Sequence, residues 1–178
     1  MKRVCTWCMK NLGDVHTKYH EDDFTAHAIC QECASTLFGE LKMDQVEIFL
    51  ERLPEPTVIV DRDGLVLTAN NLARVVLGKK LHSIMGVSVG KIIECEHANK
   101  LEGCGKSVHC NGCTIRMCVE DTYNTGRSHI DVLAYGESSC EDCSDQMTRT
   151  LMMISTSRIA NAVILKISDV RYSTEAAV

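Results

Sequence analysis

The sequence predicts an α+β protein: a five-stranded, mainly antiparallel sheet with helices on one face, preceded by a small module stapled by cysteines. Three observations carry that expectation. Two β-rich runs, Thr57-Val-Ile-Val and Leu65-Val-Leu-Thr68, flank Arg62-Asp63-Gly64, a strong hairpin signal. Three more strand-like runs, 129–135, 147–156 and 162–168, follow a stretch whose apolar spacing is helical. Ahead of all of these stand two C-x-x-C hooks, Cys5-Thr-Trp-Cys8 and Cys30-Gln-Glu-Cys33, with 21 residues between them.

The first 36 residues are polar, with His16, His20 and His27 among the cysteines. So short a piece cannot bury enough apolar surface to fold unaided, and a metal staple supplies what the core lacks. Two hooks that each fold back on one ion make a closed four-thiolate shell, so Cys5, Cys8, Cys30 and Cys33 are expected to hold structural zinc. A thioredoxin-like pair at Cys5/Cys8 lacks the preceding strand of a βαβ unit. His27 is a substitute ligand or a neighbour of the site.

Over 34–53 the period turns helical: Val46, Phe49, Leu50 and Leu53 make one apolar stripe, stopped by Pro54 and Pro56. The stripe either lies on its own domain or forms a dimer seam. After the hairpin, Asn70 is placed to cap a short helix through Leu77 that Gly78 closes. Residues 79–105 are irregular and glycine-rich. A longer helix is expected from about Asn111, with Ile115, Cys118, Val119, Thr122 and Tyr123 in period and Gly126 at its end. The implied division is a module over 1–36, a connecting helix over 37–53, the sheet domain over 54–172 and a tail over 173–178.

A second cysteine group falls inside the sheet domain: Cys95, Cys104, Cys110 and Cys113. Gly103 and Gly105 flank Cys104 and allow close backbone approach to a ligand. Cys110 and Cys113 sit where the longer helix begins, a position that favours thiolate. Four soft ligands suit zinc or an iron–sulfur cluster, and spacing does not choose between them. Reactive thiols forming a regulated disulfide, or plain buried thiols, are the other readings. Cys118 shares the apolar stripe and belongs to the core. Cys140 and Cys143 lie in an acidic turn that raises a thiol's pKa; they read as loop cysteines, with a dithiol switch or a ligand pair shared with a dimer mate as alternatives. A c-type haem needs a histidine after the pair, where Thr114 follows Cys113; His82, His97 and His109 are the lone histidines left for haem.

Composition bounds the function. The chain has 178 residues, 45% of them hydrophobic, so a packed core is expected, but with 4% aromatics it must be built from Val, Ile, Leu, Met and Cys. The formal charge is −5, and each four-thiolate site filled by a divalent ion would lower it by two. Lys79-Lys80 is an isolated basic pair, so nucleic acid is not an expected partner. No apolar run is long enough for a leader or a membrane span. A reducing cytoplasm is expected, where cysteine clusters mean metal or redox work.

Two stretches carry a family resemblance. Residues 58–70 (VIVDRDGLVLTAN), followed by a short helix, resemble the opening of a PAS sensor domain, and residues 162–170 (AVILKISDV) its last strand and closing Asp-Val. The run from Gly103 to Cys113 is similar to one in some bacterial PAS proteins, and Cys5-x-Trp-Cys8 with His27-Ala-Ile-Cys30-x-x-Cys33 resembles short cysteine modules beside bacterial signalling domains. The resemblance implies a sensor whose cofactor (haem, flavin or an iron–sulfur cluster) sits near the second cysteine group. The flavin photosensors' cysteine motif is absent. The expectation is a non-enzymatic, cytoplasmic signalling protein that senses redox state, oxygen or metal and relays to a protein partner or a dimer mate. The alternatives are a structural zinc-binding interaction module and, least supported, a thiol oxidoreductase using Cys110/Cys113 or Cys140/Cys143, since no general base accompanies either pair.

Overall fold

The computed structural model describes residues 2–5, 7–14, 25–40, 42–100, 103–139 and 147–175. Cys140 and Cys143, with His16 and His20, lie outside the described residues, as does the side chain of His27. In the module, β1 (Lys2–Cys5) lies between β2 (Asn11–Asp14), its antiparallel partner, and β3 (Thr25–Ala28), its parallel one. The register pairs Cys5 with Ala28, which brings the first hook beside the second. Nothing in the polar sequence of this segment signals the parallel pair.

Helix α1 (Gln31–Phe38) starts at Cys30, whose sulfur accepts the Cys33 N–H at 3.4 Å, and ends at Gly39, where φ is +63° and the N–H returns to the Ser35 carbonyl. That left-handed residue divides the helical run expected over 34–53. The second piece is α2 (Met43–Glu51).

The five-stranded sheet is β4 (Thr57–Val60), β5 (Val66–Ala69), β6 (His129–Ser139), β7 (Met147–Ile159) and β8 (Ala162–Glu175), in the order β5-β4-β8-β7-β6 with every neighbour antiparallel. The last strand thus lies beside the first. Between β5 and β6 run α3 (Asn71–Leu77), α4 (Leu81–Ile84), α5 (Val89–Ile92), α6 (Glu96–Asn99), a 3₁₀ turn over Val108–Gly112 and α7 (Thr114–Thr125). Asn70 and Gly78 cap α3 as expected: the Asn70 Oδ1 accepts the Ala73 N–H at 2.9 Å, and Gly78 is left-handed. The longer helix begins at Thr114 rather than near Asn111, because Cys113 takes its N-cap and the 3₁₀ turn occupies the residues before.

Alternation along the strands divides the core in two. Val58, Val60, Val163, Leu165 and Ile167 face α3–α7, where they bury Ile84, Ile92, Ile115, Cys118 and Val119. Ile59, Leu67, Ala162 and Ile164 face the other way and are covered by Ala34 and Phe38 of α1 and by Val46 and Leu50 of α2, with Trp7 and Ile29 at the margin. The module and its two helices therefore share a core with the outer face of the sheet. Of the stripe read over 34–53, Val46 and Leu50 are spent on this intrachain contact, while Phe49 is 43% exposed. Each fully buried aliphatic or aromatic side chain here contributes about 1.5–3 kcal/mol of transfer free energy. Among the described residues, no helix is long and apolar enough to cross a membrane.

Candidate metal centre and cysteine-lined cavity

Cys5 ends β1, Cys8 follows a tight turn in which the Met9 N–H bonds the Cys5 carbonyl, and Cys30 and Cys33 begin α1. All four sulfurs lie within 4.8 Å of one another, with Cys8 Sγ and Cys30 Sγ 3.6 Å apart. A tetrahedral shell with metal–sulfur bonds of about 2.3 Å has sulfur–sulfur edges near ~3.8 Å, so this cluster can hold one metal ion. Lys10 Nζ bonds both carboxylate oxygens of Glu32 at 3.0 and 3.1 Å, bracing one hook against the other.

The four thiols differ electrostatically. Burial pushes Cys5 up, but the N–H groups of Cys30, Cys8 and Trp7 point at its sulfur and outweigh burial, bringing it down to about 6. Burial together with the sulfurs of Cys30, Cys8 and Cys5 pushes Cys33 far up. Cys8 is lowered by the Lys10 N–H but raised more by the neighbouring sulfurs of Cys5 and Cys30. One thiolate is thus preformed, and crowding opposes further ionisation until a cation compensates it.

The second group lies on the other side of the sheet. Cys95, Cys104, Cys110 and Cys113 all line one cavity of about 150 Å³, closed by Gly90 and Ile93 after β5 and by Ile115 and Val119 of α7. Cys110 is 8% exposed and accepts the Gly105 N–H at 3.3 Å, whereas Cys104 faces solvent. Arg116, one turn into α7, donates to the Gly105 carbonyl and to Glu120. Cys113 does not ionise readily, contrary to the expectation for a helix start: burial raises its pKa, the N–H groups of Arg116 and Ile115 offset part of that, and the nearby Cys104 and Cys95 sulfurs raise it further.

The two groups differ in spacing. Among the described residues, the N-terminal four are the set whose ligand atoms approach within 4.8 Å of one another; the cavity cysteines line one space without meeting that spacing. Of the two sets of four expected from the sequence, the first comes within metal-ligand spacing and the second lines one cavity without it. Sequence reasoning missed Gly90, against which Cys104 packs, and Arg116, which holds the Cys104 loop; His97, one of three lone histidines, lines the cavity as well. Arg116 had a usable signal, being three residues beyond Cys113 and so on the cavity side of α7. Gly90 had none. Cys118 is buried in the core, as its place in the stripe suggested.

No protein-family model matches the chain, and no curated protein matches it. Solved structures similar to it include the photoactive yellow protein domain of the sensor histidine kinase Ppr from Rhodospirillum centenum, at 11% identity and a TM-score of 0.41, over 69% of this chain and 92% of that one. The LOV protein of Rhodobacter sphaeroides aligns at 14% identity and a TM-score of 0.42, over 70% of this chain and 64% of that one. The PAS domain of an HTR-like protein from Haloarcula marismortui aligns at 16% identity and a TM-score of 0.39, over 72% and 96%.

Proposed function

We propose that the chain is a non-enzymatic, cytoplasmic signal-transduction protein of bacterial type, in which a PAS-like domain senses redox state or oxygen through a cysteine-ligated iron–sulfur cluster and relays to a protein partner or a dimer mate. The N-terminal module holds zinc as a structural ion. The observation that carries the reading is the convergence of Cys95, Cys104, Cys110 and Cys113 on one 150 Å³ cavity. Four cysteine donors on one cavity that do not close to the spacing of a single-ion shell suit a cluster better than one zinc ion. When bound, such a cluster exchanges electrons and is lost to oxidants.

The residues around the cavity are arranged to turn a change there into movement. Cys113 is the N-cap of α7, so a ligand lost at Cys113 frees the start of that helix. Helix α7 is held on the sheet by Ile115 and Val119 and by the buried Thr122–Thr156 hydroxyl pair at 2.6 Å. The 95–113 segment is tied to α7 by Arg116 through the Gly105 carbonyl. Releasing the segment therefore loosens α7 at one end while the other stays anchored, a two-state element of the kind a switch needs.

The test is purification under argon and a visible spectrum before and after admitting air. Thiolate-to-iron absorption that bleaches in air supports the reading. A colourless protein whose zinc content and spectrum ignore oxygen overturns it in favour of a structural zinc protein.

A further inference from the structure

The two cysteine sites lie on opposite sides of the sheet, yet a short path of hydrogen bonds, chain neighbours and one packing contact joins them. Trp7 stands inside the first hook, one residue before Cys8 and two after Cys5. Its indole Nε1–H donates to Asp61 Oδ2 at 3.1 Å. Asp61 is 5% exposed, and its other oxygen accepts the N–H groups of Asp63 and Leu65, each at 2.9 Å. That carboxylate thus shapes the turn at 61–65, and Arg62, Asp63 and Gly64 of this turn form one wall of the cysteine-lined cavity. The Gly64 carbonyl accepts the Val89 N–H at 2.9 Å at the start of α5; one residue on, Gly90 contacts Cys104 and its carbonyl accepts the Cys95 N–H at 2.8 Å.

We infer that Trp7 is a positioning residue for the second site: through Asp61 it ties the metal-binding hook to the cavity wall, so that metal held by Cys5, Cys8, Cys30 and Cys33 sets how Cys104 and Cys95 are presented. The inference rests on the reading of the N-terminal four as a metal site and of the cavity as a binding site, but not on which cofactor fills the cavity. Metal at the first site fixes the two hooks and hence the indole between them. Without it, the Asp61 carboxylate loses an oriented donor and the turn loses one of its restraints. Coupling of this kind is reciprocal in binding free energy, so a change at Cys104 must in turn alter metal affinity at the module.

The experiment uses the full chain, reduced and metal-free, with Zn²⁺ as the only added probe. Iodoacetamide labelling of Cys104 is followed by peptide mass with and without one equivalent of Zn²⁺. The labelling is done in a Cys110→Ser/Cys113→Ser background, so that zinc cannot be held by the cavity cysteines, and adding Cys5→Ser/Cys33→Ser to it should abolish the zinc effect on Cys104. With Trp7 in place, zinc is expected to change the labelling rate about fivefold or more. In Trp7→Phe, which keeps the ring and removes the donor, the change should fall below about twofold, while the Co²⁺ absorption spectrum of the module stays unchanged. As a second check, Co²⁺ affinity at the module is measured in the wild type and in Cys104→Ala, and the two must differ; equal affinities overturn the inference. Equal labelling with and without zinc, an undiminished zinc effect in Trp7→Phe, or a zinc effect that survives in the Cys5→Ser/Cys33→Ser chain overturns the inference. None of these readouts involves iron, so this coupling and the iron–sulfur reading fail separately.

Discussion

Gly90 lies directly against Cys104. A Cβ built on Gly90 would stand 2.7 Å from the Cys104 sulfur and 3.1 Å from the Ala98 Cβ, closer than packed atoms tolerate. The missing side chain is what lets the 103–105 loop bring its cysteine to the cavity.

Gly90→Ala should therefore cost about 1–3 kcal/mol by overpacking and lower the iron retained per chain. In a Cys104→Ala background the stability cost should shrink, because the clashing sulfur is gone. Urea melts of the two single variants and the double variant give the interaction energy. A cost unchanged by Cys104→Ala would refute the contact.

Asn70 does more than cap α3. Its Oδ1 accepts the N–H of Thr57 at 3.0 Å as well as that of Ala73, and its Nδ2 donates to the carbonyls of Glu55 at 2.8 Å and Leu50 at 3.3 Å. At 1% exposure it joins the end of α2, the start of β4 and the start of α3. Asn70→Ala leaves several buried partners unpaired and should destabilise by about 2–4 kcal/mol, more than the loss of an ordinary cap. A denaturant midpoint that barely moves would contradict this.

Leu50 and Phe38 cover the outer face of the sheet at 1% exposure each. Leu50→Ala should cost about 2–5 kcal/mol and Phe38→Ala about 3–5 kcal/mol. Since the module and the sheet share that core, one cooperative transition is expected in each variant, and separate melting of the module would show that the shared core is not what holds it.

Much of this was legible in local sequence, for a physical reason. C-x-x-C hooks, Asn70 with Gly78 around one short helix, and Asp63-Gly64 between two β-rich runs each act within a few residues. The features that escaped depend on residues distant in the chain. The stripe of Val46 and Leu50 announces a buried face but not its partner, which proves to be Ile59, Leu67, Ala162 and Ile164. Gly39 breaks the expected helix through a positive φ that many glycines in helical patterns never adopt. Trp7 and Asp61 are 54 positions apart, and no pattern links an indole in a metal hook to an aspartate in a hairpin turn. The acidity of Cys113 was misjudged because a helix start was weighed without the burial that accompanies it.

The module's thiols also predict a pH dependence. Folding lowers Cys5 from 9.0 to about 6, so its contribution to the metal-free fold is complete above about pH 9 and is lost as pH falls through about 6. Cys33 is raised, so folding opposes its ionisation and metal-free stability declines as pH climbs past the ordinary thiol value. At neutral pH, Cys8 and Cys33 carry protons that metal must displace, so zinc binding should release at least two protons and tighten as pH rises. Calorimetry in buffers of different ionisation enthalpy measures that release; uptake of zinc without proton release would contradict the assignment.

The most direct test of the central claim is the iron and acid-labile sulfide content of the chain purified under argon, beside that of Cys110→Ser/Cys113→Ser. The account predicts iron and sulfide together in the wild type, both lost in the variant, with the zinc of Cys5, Cys8, Cys30 and Cys33 retained in each. Zinc at both sites with no sulfide, or iron and sulfide undiminished in the variant, would contradict it.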